Sequence, residues 1–198
     1  MAFNNCTKIP LLHRLLTDIA QRRVKVKEAQ ISPYLQEDQR ILDIGCGNGL
    51  LCKKLRKRGL DITPLDVANN SFLPDVRPII YNGVRLPFND KVFDTVLLIT
   101  ILHHSRNPEK VIDEGMRVAS KLIIIEEIYS SQLEKYWVYT VDSLFNAEFI
   151  GHPHTNKSDT QWRQLFSEKK YIVSDVKYSL VFPWLSRVLY VVKSNGMK

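Results

Sequence analysis

The chain has 198 residues, 44% hydrophobic and 25% charged, which suits one globular domain and excludes disorder, collagen and coiled coil by composition. Lys and Arg number 28 against 21 Asp and Glu, and the resulting net charge of +7 raises the question of an anionic partner, nucleic acid or an acidic membrane. The cysteines Cys6, Cys46 and Cys52 are odd in number and lack metal-ligand spacing, so a disulfide framework is not expected and a reducing, cytoplasmic setting is. Residues 1–10 are polar and do not open as a signal peptide, and no apolar run approaches the roughly 20 residues of a membrane span.

Pro10 to about Tyr34 is predicted helical, since Leu11, Leu12, Leu15, Leu16 and Ile19 recur at helical spacing and Pro10 suits a first turn. With its flanks, 1–37, it is expected to form an N-terminal helical cap. From Arg40 the texture changes to alternating strands and helices. Strands are predicted at 41–44, 62–65, 78–81, 95–100 and 122–125, with helices at 50–58 and 108–119 between them. Gly59 is expected to close the first of these helices. A mixed segment over 129–158 is read as an insertion capping a substrate site. A helix at 159–168 with Ser158 as N-cap follows, then strands at 171–180 and 188–192. The last two strands are joined by too few residues for a parallel crossover, so they should pair antiparallel. The expected fold is single-domain α/β, doubly wound, with a mostly parallel seven-stranded sheet and one antiparallel strand.

Chemistry is concentrated after the first strand, in Ile41-Leu-Asp-Ile-Gly-Cys-Gly-Asn-Gly49. Glycines at alternate positions let the backbone turn tightly and approach a ligand. The pattern is Gly-x-Gly-x-Gly, not the Gly-x-Gly-x-x-Gly of dinucleotide sites. Asp43 precedes it, a charge that suits a ligand carrying an ammonium group. Asp66 ends the second strand, where an acid grips a ribose diol. Leu86-Pro-Phe88, Phe93-Asp-Thr-Val96 and Leu102-His-His104 follow.

This order of motifs resembles the class I S-adenosylmethionine-dependent methyltransferases, and within them the methyltransferase type 11, ubiquinone/menaquinone-type group. The likeness covers roughly Arg40–Glu127 and the final strand pair. It implies a Rossmann-like methyltransferase fold, with S-adenosyl-L-methionine as cofactor. It further implies that Asp43 orients the methionine ammonium and that the loop of Gly45, Cys46, Gly47 and Gly49 faces the methionine part. Asp66 would take both ribose hydroxyls and Val67 would pack on adenine. Gly83 and Val84 would offer backbone groups to adenine, and Ile99 a carbonyl to the methionine amine. Asn82 stands where the group usually has Asp, and its side-chain oxygen is expected to meet the adenine amino group.

For the transfer itself, a base is needed where the acceptor has a proton to lose. His152 and His154, in a Gly- and Pro-fixed loop after the fifth strand, are candidates to touch substrate or act as base. His104, and less so His103, could line the pocket. Glu127 could orient a histidine or bind a basic acceptor. A metal at His152 and His154 would need further ligands, and none is expected. Tyr136, Trp137, Tyr139, Phe145 and Phe149 could supply cap core or an apolar wall. The basic run Lys53–Arg58 lies on a helix packed through Leu51 and Leu55 and reads as a solvated face. Arg22, Arg23, Lys25 and Lys27 are better placed to draw an anionic substrate. The favoured activity is methyl transfer to O, N or C of a small molecule. Alternatives are a tRNA- or rRNA-modifying methyltransferase and a non-catalytic cofactor-binding subunit. The absence of an Asn/Asp-Pro-Pro-Tyr/Phe motif argues against methylation of exocyclic amino groups of bases.

Overall fold

A computed structural model of the chain describes residues 10–136, 155–182 and 185–195. Helix α1 (Pro10–Ile31) runs into a short 3-10 turn at Ser32–Tyr34 and leads to strand β1 (Arg40–Ile44). Then come α2 (Leu50–Arg56), β2 (Asp61–Asp66), β3 (Ile79–Ile80), β4 (Thr95–Ile99), α3 (Pro108–Val118) and β5 (Lys121–Ile128). The chain closes with α4 (Asp159–Glu168), β6 (Tyr171–Phe182) and β7 (Leu185–Ser194). The strand order is β3-β2-β1-β4-β5-β7-β6. All neighbours pair parallel except those of β7, which is antiparallel to both β5 and β6. This is the seven-stranded, Rossmann-like sheet with one reversed strand that the sequence predicts.

Each central strand is buried on both faces, so successive side chains feed two cores. Leu42, Ile44, Val96 and Leu98 pack with Ile112, Met116, Trp162 and Phe166 of α3 and α4. Ile41, Leu97, Ile99, Ile123 and Ile125 pack on the opposite face with Ile31 of α1 and Leu51, Cys52 and Leu55 of α2. Strand order reverses between β1 and β4, and such a switch point leaves a crevice at the C-terminal strand ends.

Three fastenings position that crevice. Asn107 caps α3, its side chain accepting from the Lys110 N–H at 3.0 Å, with Pro108 in the first turn. Arg117 of α3 donates to the Leu86 and Phe88 carbonyls and to Asp90 and Glu114, which fixes the segment before β4. Helix α1 is tied to α2 by Glu28, which pairs with Lys54 at 3.0 Å and Arg58 at 3.7 Å. It is tied to β6 through Gln30–Ser179 and Tyr34–Asp175 hydrogen bonds.

One boundary differs from expectation with consequence for the site. Strand β5 continues to Ile128, because its pairing with β7 extends past Glu126 and Glu127. Both acids are therefore buried within the sheet rather than placed at its rim. Among the described residues no helix is long and apolar enough to cross a membrane. The proposed insertion falls mostly outside the described residues, as do Cys6, His152, His154, Trp137, Tyr139, Phe145 and Phe149.

Candidate functional site

A cleft of about 1220 Å³ opens over the C-terminal ends of β1, β2, β4 and β5. Typical ligand sites run about 300–1,000 Å³, so it has room for more than one small molecule. Asp43, Gly45, Cys46, Gly47, Asp66, Val67, Asn82, Gly83, Val84 and Ile99 line it, as do His103, His104 and Glu127. Gly49 stands one step back, at the N-cap of α2, where a Cβ would lie 2.8 Å from Ser71 Oγ.

The glycine loop shows why a side chain is refused at one position and a ligand admitted at the next. Gly45 has φ +74°, and a Cβ there would lie 2.8 Å from Ile101 Cγ2. At Gly47, also left-handed, a Cβ would meet no atom within 4 Å, so the backbone faces open cleft. The Gly47 N–H donates to Asp66 Oδ2 at 2.8 Å, and the Val67 N–H donates to Asp66 Oδ1 at 2.7 Å. Each Asp66 oxygen keeps a second acceptor position. Val67 is 57% exposed at the cleft lip. The Asn82 oxygen accepts from the Val84 and Arg85 N–H groups at 3.0 and 3.2 Å. It thus shapes the turn that presents Gly83 and Val84.

Asp43 is 2% exposed and accepts a hydrogen bond from the Cys52 thiol at 3.0 Å. Burial pushes its carboxyl up to about 6, and Asp66 adds to this against Cys52 and Lys27. Cys46, burial and the Asp43 charge hold the Cys52 thiol far above its ordinary value, so it remains a proton donor.

The other side of the cleft is built by α1 and β5. Ala20, Arg23, Val24 and Lys27 form one face of α1 at helical spacing and wall the cleft. Arg22 and Lys25 are exposed and do not line it. The Lys27 ammonium donates to Thr100 Oγ1 at 2.7 Å. Burial pulls its pKa down to about 8 despite the opposing carboxylates of Glu127 and Glu126. Thr100 has φ +56°, a strained conformation for a β-branched residue, and its N–H donates to the Ile125 carbonyl at 2.7 Å.

Two adjacent acids have separate partners. Glu127 Oε1 accepts from Arg187 at 2.6 and 3.2 Å. Burial would raise its pKa, yet Arg187, His103 and Lys27 outweigh that and hold it low. Glu126, not Glu127, is the acid that orients a histidine. Its Oε2 lies 2.5 Å from His103 Nδ1. The histidine it holds is His103, which is buried, whereas His104 is exposed beside it with ring centroids 4.2 Å apart. Atoms of His103, Glu126 and Glu127 come within 4.8 Å of one another, and Arg187 supplies the cationic partner at this cluster. Sequence reasoning missed Arg187, Glu126 and Thr100. Their roles depend on pairing across the sheet and on a backbone angle, neither of which leaves a local signal. The α1 face at 20, 23, 24 and 27 continues the helical spacing of Leu11–Ile19, but only Arg23 and Lys27 of it were singled out in the sequence.

Comparison with known proteins agrees with this fold. Residues 42–122 match the family described as methyltransferase domain, the type 11 group. The chain is 25% identical, over 74% of its length, to the tRNA U34 carboxymethyltransferase of Nautilia profundicola, covering 62% of that protein. It is 31% identical, over 44% of its length, to the demethylmenaquinone methyltransferase of Renibacterium salmoninarum, covering 41% of that protein. The chain thus spans less than two thirds of the curated relatives it matches. Among solved structures it is similar in fold to the magnesium protoporphyrin IX methyltransferase of Synechocystis with bound S-adenosylhomocysteine. The TM-score is 0.64 at 17% identity, covering 94% of this chain and 89% of that one. The chain thus has a Rossmann-like fold that solved methyltransferase structures share. More narrowly, residues 42–122 match the type 11 methyltransferase domain, and the similar Synechocystis structure holds the demethylated form of S-adenosylmethionine. The buried Asp43, the open backbone at Gly47 and the fixed Asp66 carboxylate fit that molecule's ammonium and ribose groups.

Proposed function

We propose that the protein is an S-adenosylmethionine-dependent methyltransferase acting on a small-molecule acceptor. The observation that carries this is the Asp66 cradle. Its carboxylate is anchored by two backbone N–H groups at the end of β2 and borders open cleft at Gly47. In this reading Asp43 and Ile99 hold the methionine amine. Asp66 holds the ribose, and Val67 and the Asn82–Val84 turn hold adenine. When bound, the cosubstrate supplies an electrophilic methyl group on a good leaving group. The protein's own task is to place the acceptor in line and keep water out. The acceptor half of the cleft is bounded by Ala20–Lys27, Thr100–Arg106 and Glu127. Arg23, Lys27 and Arg106 bias it toward an anionic or electron-rich acceptor. His104 and Glu127 remain candidates there, with Glu127 tied to Arg187, while His152 and His154 lie outside the described residues.

Calorimetry with S-adenosylhomocysteine tests the reading. Binding is expected in the native protein and largely lost in Asp66→Ala and Asp66→Asn. Undiminished binding in both variants would reject the site. A tRNA- or rRNA-directed activity is a second reading, favoured by the 25% identity to the tRNA U34 carboxymethyltransferase across most of this chain. Against it stands the internal pairing of the basic run, since Lys53, Lys54 and Arg58 are ion-paired to Asp75 and Glu28.

A further inference from the structure

We propose that Lys27 determines acceptor specificity by receiving a carboxylate group of the acceptor, so that the acceptor is a carboxylic acid. The inference rests on the methyltransferase reading and adds to it a contact and a substrate class.

The buried charges on the β5 side of the cleft do not balance. Arg187 donates to Glu127 at 2.6 Å. Glu126 Oε2 lies 2.5 Å from His103 Nδ1, and His103 acts as a cation on Glu127. Two acids thus answer two cations, and the Lys27 ammonium is left over. Among the described residues its partner is a neutral hydroxyl, Thr100 Oγ1 at 2.7 Å, and no carboxylate stands within ion-pairing distance. An ammonium has three protons to donate, so this one can serve a ligand as well as Thr100. A charge drawn away from water without a counter-charge is costly, and an anionic ligand group offsets that cost. The surplus of one matches the single negative charge of a carboxylate.

Lys27, Thr100 and Glu127 all line the cleft. Glu127 and Glu126 of β5 support the ammonium, whereas Arg187 of β7 and Arg23 of its own helix oppose it. From β1, the Asp43 carboxyl also feels it. Its strongest charged neighbours are Glu127 and Arg187, and β5 stands two strands away from β1. That places Lys27 in the acceptor half rather than beside Asp43. Burial outweighs both carboxylates and pulls its pKa down to about 8, so the group is charged at neutral pH and loses its charge just above it.

Thr100 gives the ammonium a fixed position. Its φ of +56° is held by the N–H bond to the Ile125 carbonyl. The turn that follows is clamped from two sides. Glu126 Oε1 accepts from the Ile101 and Leu102 N–H groups at 2.9 and 2.8 Å. Thr155 Oγ1 lies 3.1 Å from both the Leu102 and Ser105 carbonyls, and the Thr155 N–H donates to the His103 carbonyl at 3.4 Å. Backbone strain kept in place by its surroundings clusters at ligand sites. Here it holds a hydroxyl against Lys27, and a charge fixed in this way can discriminate between acceptors by one contact.

The test uses the whole chain saturated with S-adenosylhomocysteine, together with two probes of one shape, 3-phenylpropionate and 3-phenylpropanamide. NMR titration at pH 7 should show the acid binding about ten- to hundredfold more tightly than the amide. Lys27→Met should abolish that preference and keep S-adenosylhomocysteine affinity. In the native protein the affinity for the acid should fall about tenfold between pH 7 and pH 9, because only the ammonium form receives it. Lys27→Arg stays charged over that range, so it should keep the preference and lose the pH dependence, which a purely structural side chain would not do. Equal binding of acid and amide, binding of neither, or a preference that survives Lys27→Met would overturn the proposal. So would a pH dependence unchanged in Lys27→Arg. Tighter binding of phenyl phosphate than of 3-phenylpropionate would overturn the carboxylate. Loss of S-adenosylhomocysteine affinity in Lys27→Met would assign Lys27 to the cosubstrate's own carboxylate and overturn the acceptor contact. Failure of the native protein to bind S-adenosylhomocysteine would remove the methyltransferase reading itself.

Discussion

At position 43 a carboxylate is buried against a thiol rather than a cation, and this has a measurable cost. Its pKa of about 6 stands above the unfolded value of about 3.9. The native state therefore holds a proton that the unfolded state has released between these two values. The stability that this proton confers is complete below about pH 4 and lost as pH rises through 6. At pH 7.5 the ionised group costs up to about 3 kcal/mol. Asp43→Asn can still accept from Cys52. It should raise the melting temperature by several degrees at pH 7.5, the gain vanishing near pH 4. The same variant should lose S-adenosylhomocysteine affinity by tenfold or more, and native affinity should fall as pH drops below 6. An unchanged melting curve would show that the carboxylate is not strained. The candidacy of Asp43 was legible because Asp-x-Gly-x-Gly-x-Gly is a local pattern. Its strain was not, because it depends on Cys52 and on the sheet that buries both.

Elements differ in how much of their role a sequence can carry. Helix α4 is fully announced. Ser158 accepts from the Gln161 N–H, and the Gln161 side chain returns to the Ser158 N–H at 2.8 Å, closing a capping box. Ser158→Ala should cost about 1 kcal/mol. The melting temperature should then drop by about 2–4 °C, readable by circular dichroism, with S-adenosylhomocysteine affinity intact because α4 packs away from the cleft. A loss of affinity would mean that α4 transmits strain through Thr155 to the His103 turn. Helix α1 was legible as a helix but only half legible as a wall. Its apolar repeat predicts the element, whereas the reach of Lys27 to Thr100 depends on how α1 lies across the sheet. Strand β5 was read too short for a related reason. Glu126 and Glu127 look like surface residues until Arg187 and the His103 turn are brought to them.

On the scale of the whole molecule, the surplus of +7 is less available to a partner than its size suggests. Lys53, Lys54 and Arg58 are bound to acids of α1 and the loop after β2, and Arg56 to the Ile62 and Asp75 carbonyls. Binding of unmodified tRNA should therefore be weak and lose less affinity with salt than that of a protein contacting six or more phosphates. A steep salt slope at low ionic strength would instead favour the RNA-directed reading. The reversed strand gives the molecule a timetable as well as a shape. Strand β7 inserts between β5 and β6, so the partner of Glu127 is supplied from 60 residues further along the chain. At ribosomal rates of about 5–20 residues per second, that is roughly 3–12 s of translation. Throughout that interval the acids of β5 lack their arginine and one edge of that strand stands open. The nascent domain can thus assemble β1 to β4 and the glycine loop before the β5 side of the cleft can carry its charges.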